Sequence, residues 1–404
     1  MSATRPETDT STPLVARYLD IDEVVQGGGK LPYAMRYSGT LRADSERTHR
    51  ELSAALKPQK LGVLLREEQG KHIVLLVPLM PRPRRSNPWI NLGFFVLTLA
   101  SVVYTGMLYG SGNEAPADAS GWALIAEGLP FAAALLSILL AHEFGHYLAA
   151  RYHGTEVSLP YFLPLPAPFS PFGTLGAFIQ LKETPRNKKV LFDIGVAGPL
   201  AGVLVAIPVL LIGLSLSKIE NLPAFIAAGD AISLEGNSIL YLLTKFAVFG
   251  QWLPTPHSYG DLSPIVYWLR YIFTGTPTPL GGADVFLHPV AWAGWAGLLV
   301  TSLNLIPVGQ LDGGHILYSL IGKGVRYVWP VAVVLLGILG FFYSGWWVWT
   351  FLILFLGQTS AEPQDQITEL NAGRKLVGLL AILLFILVFT PLPLTIISGP
   401  FGGP

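Results

Sequence analysis

His142-Glu143-Phe144-Gly145-His146 lies inside an apolar run from about Leu124 to Ala150. On an α-helix, residues four apart share a face, so His142 and His146 can bind one divalent metal. Glu143, one position round, can then face a water at that metal. Ionisable side chains at membrane depth are costly, which favours a functional pair over a polar cluster between packed helices. The chain has no cysteine, so disulfides and thiolate ligands are excluded, and ligands must come from His, Asp and Glu.

A hydrolytic zinc site needs three protein donors and one open position. Asp312 is the best third donor. It is ionisable in an apolar stretch, is expected at the depth of the histidine pair, and precedes Gly313 and Gly314, which allow close backbone approach. A helix cap is its ordinary alternative. In such a site zinc acidifies a bound water and polarises a carbonyl, while Glu143 takes the water's proton and delivers it to the leaving amine. Asn304, eight residues before Asp312, reads either as an oxyanion or substrate donor or as a packing amide. His315 reads either as support behind the ligands or as a polar residue at headgroup level. His153, His257 and His288 carry no assignment. His49 and His72 read as surface histidines, since neither has a ligand-spaced partner.

The elements that must position these residues are mostly membrane helices. Of 404 residues, 51% are hydrophobic and only 13% charged, against about a quarter charged in soluble proteins. The apolar residues come in runs of near-membrane length. Net charge is zero, which argues against a nucleic-acid partner. The expected fold is an α-helical polytopic membrane protein with about six to seven transmembrane helices, a short membrane-embedded β element, and a small N-terminal α/β (βαββ) soluble domain.

Residues 1–30 read as a disordered lead ending at Gly27-Gly28-Gly29, with no signal-peptide pattern. Residues 31–82 form the βαββ unit: a strand at Tyr33–Leu41, a helix capped by Asp44 or Ser45 and running to Leu56, and strands Leu61–Leu65 and His72–Val77. Residues 86–404 form the membrane domain, with a core at about 121–325. Spans are expected near Trp89–Tyr109, the His-Glu helix, Val190–Leu216, Pro289–Leu303 and Leu376–Ile397, plus a tight pair at Tyr327–Phe342 and Trp346–Leu356. Residues 217–288 are mixed, with short apolar helices near Ile239–Phe249 and Pro264–Phe273, on the outer side. Arg82-Pro83-Arg84-Arg85, Arg151, Arg186, Lys188, Lys189, Lys323, Arg326, Arg374 and Lys375 mark the inner side, and the loop SGNEAPADASG has no Lys or Arg. The metal site thus faces the cytoplasm, beside a cytoplasmic N-terminus; the membrane expected is a prokaryotic cell membrane.

Pro160 to Pro171 holds five prolines and cannot be helix. Gly173-Thr174-Leu175-Gly176-Ala177-Phe178-Ile179 reads as a short strand. Its open edge could pair with an extended peptide, or the segment could be a re-entrant plug. Ala197-Gly198-Pro199-Leu200-Ala201-Gly202 reads as a close-packing motif with a proline kink.

Taken together, these residues resemble the site-2 protease family of intramembrane zinc metalloproteases. His142–His146 matches its metal motif. Asn304-Leu305-Ile306-Pro307-Val308-Gly309-Gln310-Leu311-Asp312-Gly313-Gly314 matches its second motif. Gly173–Ile179 looks like its β element, thought to clamp substrate, and Ala197-Gly198-Pro199 resembles a further family feature. The likeness covers about Leu124 to Gly322 and is greatest to the cyanobacterial and plastid branch without an inserted PDZ domain. It implies Zn2+ as cofactor, His142, His146 and Asp312 as ligands, Glu143 and Asn304 as catalytic residues, and Gly173, Thr174, Leu175, Gly176 and Ala177 as substrate contacts. It also implies a transmembrane segment of another membrane protein as substrate, within the lipid bilayer. Ser360-Ala361-Glu362-Pro363 departs from the His-Pro pair expected in this branch. The alternatives from the residues are a tethered soluble-type zincin and a non-proteolytic membrane metal-binding protein or transporter.

Overall fold

The computed structural model describes residues 10–27, 32–79, 86–110, 121–359 and 361–399. The Arg82–Arg85 cluster, the acidic loop after Gly110, Gly28, Gly29 and Ser360 lie outside the described residues.

The N-terminal unit contains α1 (Thr12–Val15), β1 (Leu19–Gln26), β2 (Met35–Leu41), α2 (Ser45–Leu56), β3 (Leu61–Glu68) and β4 (Lys71–Pro78). Its sheet is antiparallel in the order β1-β2-β4-β3. The β3–β4 turn is Gln69-Gly70, both at positive φ (52° and 77°), as a two-residue hairpin needs. Asp44 caps α2, its carboxylate accepting from Arg47 N–H at 3.0 Å. Alternation puts Val63 and Leu65, and Val74 and Leu76, on one face, where they bury Leu52 and Leu56 of α2.

Two expectations fail here. The lead is not structureless throughout, because β1 pairs with β2 from Leu19↔Leu41 to Gln26↔Met35. Its acidic alternation belongs to an edge strand. His49 is not on the surface: it is buried on the inner face of α2, its Nε2 3.1 Å from the Val63 carbonyl. Burial pushes its pKa down from the usual histidine value. His72 Nδ1 accepts from Leu41 N–H at 3.1 Å.

The remainder is α3 (Pro88–Gly110), α4 (Gly121–Tyr152), β5 (Tyr161–Pro164), β6 (Thr174–Phe178), α5 (Lys188–Ser215), β7 (Lys218–Asn221), β8 (Ala231–Glu235), α6 (Ile239–Phe249), α7 (Pro264–Thr274), β9 (Ala283–Phe286), α8 (Pro289–Asn304), α9 (Asp312–Ile321), α10 (Val328–Leu339), α11 (Gly345–Leu356), α12 (Ala372–Val388) and β10 (Leu394–Ser398). Among the described residues, four stretches are long and apolar enough to cross a membrane: 88–109, 121–152, 188–215 and 312–339. Six to seven spans counted from apolar runs included shorter helices. α8 and α12 have 16 and 17 residues, about 25 Å at 1.5 Å per residue, short of a hydrocarbon core of about 30 Å.

α4, α5 and α8 form the centre, with Phe131, Leu135, Ile138, Val203, Leu210, Trp295 and Leu298 in one buried cluster. Backbones approach closely. A Cβ on Gly145 would stand 2.5 Å from the Ala197 carbonyl, and one on Gly213 would stand 2.1 Å from Ala291 N. Large side chains such as Trp89, Leu97, Leu204, Val331, Phe355 and Leu379 point outward, as lipid contact requires. Residues 217–288 hold α6 and α7 as expected, together with strands not foreseen. β7 pairs with β9, and β8 pairs with β10 from the far end of the chain.

Candidate metal centre

α4 carries His142 and His146 on its buried face, about 15 Å and about 9 Å before its C-terminal end at 1.5 Å per residue. After α8 ends at Asn304, a short connection leads to α9, whose first residue is Asp312. Leu311, not Asp312, is the N-cap, and its side chain makes no capping bond. The Asp312 carboxylate is therefore turned to the histidines rather than to its own helix end. Its Oδ2 lies 3.2 Å from His142 Nε2 and 3.2 Å from His146 Nε2, and the two Nε2 atoms are 3.2 Å apart. Among the described residues this is the one group of three or more His, Asp or Glu able to hold a metal.

These distances fit a zinc ion. Three donors about 2.0–2.2 Å from a tetrahedral metal stand about 3.3 Å from one another. The tautomer agrees. His146 Nδ1 lies 2.7 Å from the Ile194 carbonyl, so Nδ1–H donates there and a neutral His146 turns its Nε2 lone pair, the ligand atom, toward Asp312.

Glu143 is 4% exposed, with the backbone of Ile179, one residue past β6, close to its carboxyl group. Asn304 Nδ2 is 3.2 Å from His142 Nε2. The expected residues from α4, α8 and α9 thus meet in one place. His315 lies on the inner side of α9 against α5, with Nδ1 lacking a hydrogen-bond partner among the described residues.

β6 pairs with β5 on one edge, and among the described residues it has no strand on the other. Gly173 sits at φ +75° against α3, where a Cβ would be 2.7 Å from Val102 Cα. Thr174 Oγ1 is used within the hairpin, donating to the Leu163 carbonyl and accepting from Gly176 N–H. Gly176, at φ +106°, breaks the register, and Leu175 is left without a partner across the pair, its side chain 68% exposed. Ala177 pairs with Phe162.

Sequence reasoning missed the wall behind the ligands. A Cβ on Gly198 would be 2.1 Å from His146 Nε2, and one on Gly202 would be 3.1 Å from His142 Nδ1. Gly195 lies against His315. The three glycines recur at intervals of three and four, one face of α5, a signal that was available in the sequence.

A helical membrane bundle with a buried two-histidine, one-aspartate centre is a membrane-embedded metalloprotein. The sequence matches peptidase family M50 over residues 130–339, just over half of the chain, and the chain belongs to that family. Donor set and family agree on zinc as the metal.

Three relatives illustrate the likeness. "Probable zinc metalloprotease EGY2, chloroplastic" of Oryza sativa subsp. indica is 26% identical over 368 residues, 88% of this chain and 61% of the relative. "Probable zinc metalloprotease EGY1, chloroplastic" of Arabidopsis thaliana is 30% identical over 66% of this chain and 43% of its own length. "Probable zinc metallopeptidase EGY3, chloroplastic" of Arabidopsis thaliana is 29% identical over 80% of this chain and 52% of its own length. The chain thus spans about 40–60% of the curated relatives it matches. With its apolar helices it is an integral membrane protein. The relatives' names say chloroplast, so the expected prokaryotic cell membrane gains no support from them.

Proposed function

We propose that the protein is an intramembrane zinc endopeptidase that hydrolyses peptide bonds within or near transmembrane segments of other membrane proteins. The observation that carries this reading is the convergence of His142, His146 and Asp312 at 3.2 Å with Glu143 between the ligands and the end of β6.

Zinc held by the three side chains would supply Lewis acidity, lowering the pKa of a bound water toward about 7 and polarising the scissile carbonyl. Glu143 is the proton carrier. It accepts the proton of the attacking water and delivers it to the leaving nitrogen. Asn304 Nδ2, 3.2 Å from His142 Nε2, donates to the developing oxyanion. A helical substrate must unwind before its backbone can reach these groups. The free edge of β6 offers it replacement hydrogen bonds, which matters most where water is scarce. We place the substrate cut at membrane depth because the histidine ligands lie about 9–15 Å inside the end of α4. We also place the N-terminal sheet and the metal on the same side of the membrane, since Glu46 of α2 pairs with Lys189 at the start of α5.

The test is incubation of the purified protein, beside Glu143→Gln, with single-span membrane substrates, locating cuts by mass. Wild type should cut within the span. Glu143→Gln should retain zinc and lose roughly 10²–10⁴-fold in rate. Equal rates in both proteins would exclude Glu143 as the base.

A further inference from the structure

α5 supplies no ligand, yet it forms the back of the metal centre, so its position relative to α4 decides where the imidazoles point. Apolar helix faces leave such a position loosely specified along the axis. One polar feature specifies it. Asp193, in the second turn of α5, is gripped by Arg374 of α12 through Nε at 2.8 Å and Nη2 at 2.6 Å. The same carboxylate faces His153 Nε2 at 2.9 Å, just past the end of α4. The next residue, Ile194, presents the carbonyl that accepts His146 Nδ1–H at 2.7 Å.

We propose that Asp193, Arg374 and His153 are positioning residues for the zinc centre, locking α5 to the ligand-bearing helix so that the Ile194 carbonyl orients His146. This rests on reading His142, His146 and Asp312 as the metal ligands. The geometry favours positioning over simple cross-linking for two reasons. The bidentate arginine fork is directional, whereas a point charge would hold distance without angle. His153 also continues the chain of α4 itself, so Asp193 is tied to the helix that carries both imidazoles. A shift of α5 at Asp193 would move the Ile194 carbonyl away from His146 and drive Gly198 into its ring.

The test is zinc affinity by chelator competition and the visible absorption of the cobalt(II)-substituted protein in detergent, for wild type, Asp193→Asn and Arg374→Lys. Lys189→Ala is the control. Its ion pair with Glu46, at 2.7 Å, also anchors the first turns of α5 but leads to no ligand. Positioning predicts zinc binding weaker by roughly 10–100-fold in Asp193→Asn with an altered cobalt spectrum. Arg374→Lys should be intermediate, and the control unchanged. If the Asp193 or Arg374 variants do not fold, His153→Ala decides, because Arg374 still pairs with Asp193 there. It too should bind zinc more weakly and shift the cobalt bands. Wild-type affinity and spectrum in the folded variants, beside a zinc-binding wild type, would overturn the proposal alone. A wild type that binds no zinc would overturn the ligand reading and the proposal together.

Discussion

An added methyl group on Gly198 would stand 2.1 Å from His146 Nε2, the atom that must reach the metal. Gly198→Ala should therefore weaken zinc binding while leaving the apolar bundle intact. Overpacking costs about 1–3 kcal/mol, roughly 5–150-fold in affinity. Metal content after dialysis against a graded chelator would measure it, and retention equal to wild type would show that the His146 ring is free to move. Asp312→Ala should lose zinc more completely, since it removes a donor rather than crowding one. At this scale the centre was largely legible. His142, Glu143 and His146 announce themselves by spacing, and Asp312 by being ionisable where little else is. The Ile194 carbonyl was not legible, because every residue has a backbone carbonyl and only the fold selects one. Gly198 and Gly202 read as helix packing, which they are, but the surface packed against them includes the ligand rings.

The long elements follow the apolar runs closely: α4, α5 and α8 lie where hydropathy and proline placed them. The short strand β6 showed, but β7 to β10 did not. β7 and β9 have four residues each, and β8 and β10 find each other across the second half of the membrane domain, so no local pattern marks them. β8 ends in a buried charge cluster that the sequence also hid. Tyr241 OH donates to Glu235 Oε1 at 2.8 Å, and Lys245 Nζ lies 3.8 Å from Asp284 Oδ1 and 4.5 Å above the Tyr241 ring. Burial first, and Asp284 second, push Glu235 up to about 7, with Lys245 opposing. The folded pKa lies above the ordinary carboxylate value, so between roughly pH 4.5 and 7 the folded state keeps a proton that the unfolded chain has lost. That contribution is complete below the window and disappears as pH rises through about 7. Thermal unfolding in detergent should show a melting temperature falling from pH 5 to pH 8 in wild type. Glu235→Gln should flatten that slope, and an unchanged slope would assign it to other groups.

Across the whole molecule, the N-terminal sheet is fastened to the membrane domain by the connection between α11 and α12. Leu65 N–H donates to the Gln364 carbonyl and Gln366 N–H to the Leu65 carbonyl, while Gln364 and Asp365 N–H donate to the Pro185 and Arg186 carbonyls. Residues 364–366 therefore act as a strand shared between β3 and the start of α5. Arg66 Nη1 donates to the Pro363 and Gln364 carbonyls, and the fully buried Asp365 accepts from Ile367 and Thr368 N–H. Glu362, in the stretch that departs from the branch's His-Pro pair, accepts from Gln366 and pairs with Arg66 at 3.8 Å. Arg66→Ala should loosen this junction. Hydrogen exchange should accelerate in β3 and residues 363–368 but not in β1, and uniform protection would show that the sheet is held elsewhere. The junction also imposes an order on synthesis. Arg66 and its acceptor Gln364 are 298 residues apart, roughly 15–60 s of translation at 5–20 residues per second. During that interval the outer edge of β3 has no partner, and an unpaired edge invites pairing with other chains. β3 thus leaves the ribosome well before the residues that complete it, and a nascent chain stalled before residue 363 would carry a strand in search of a neighbour.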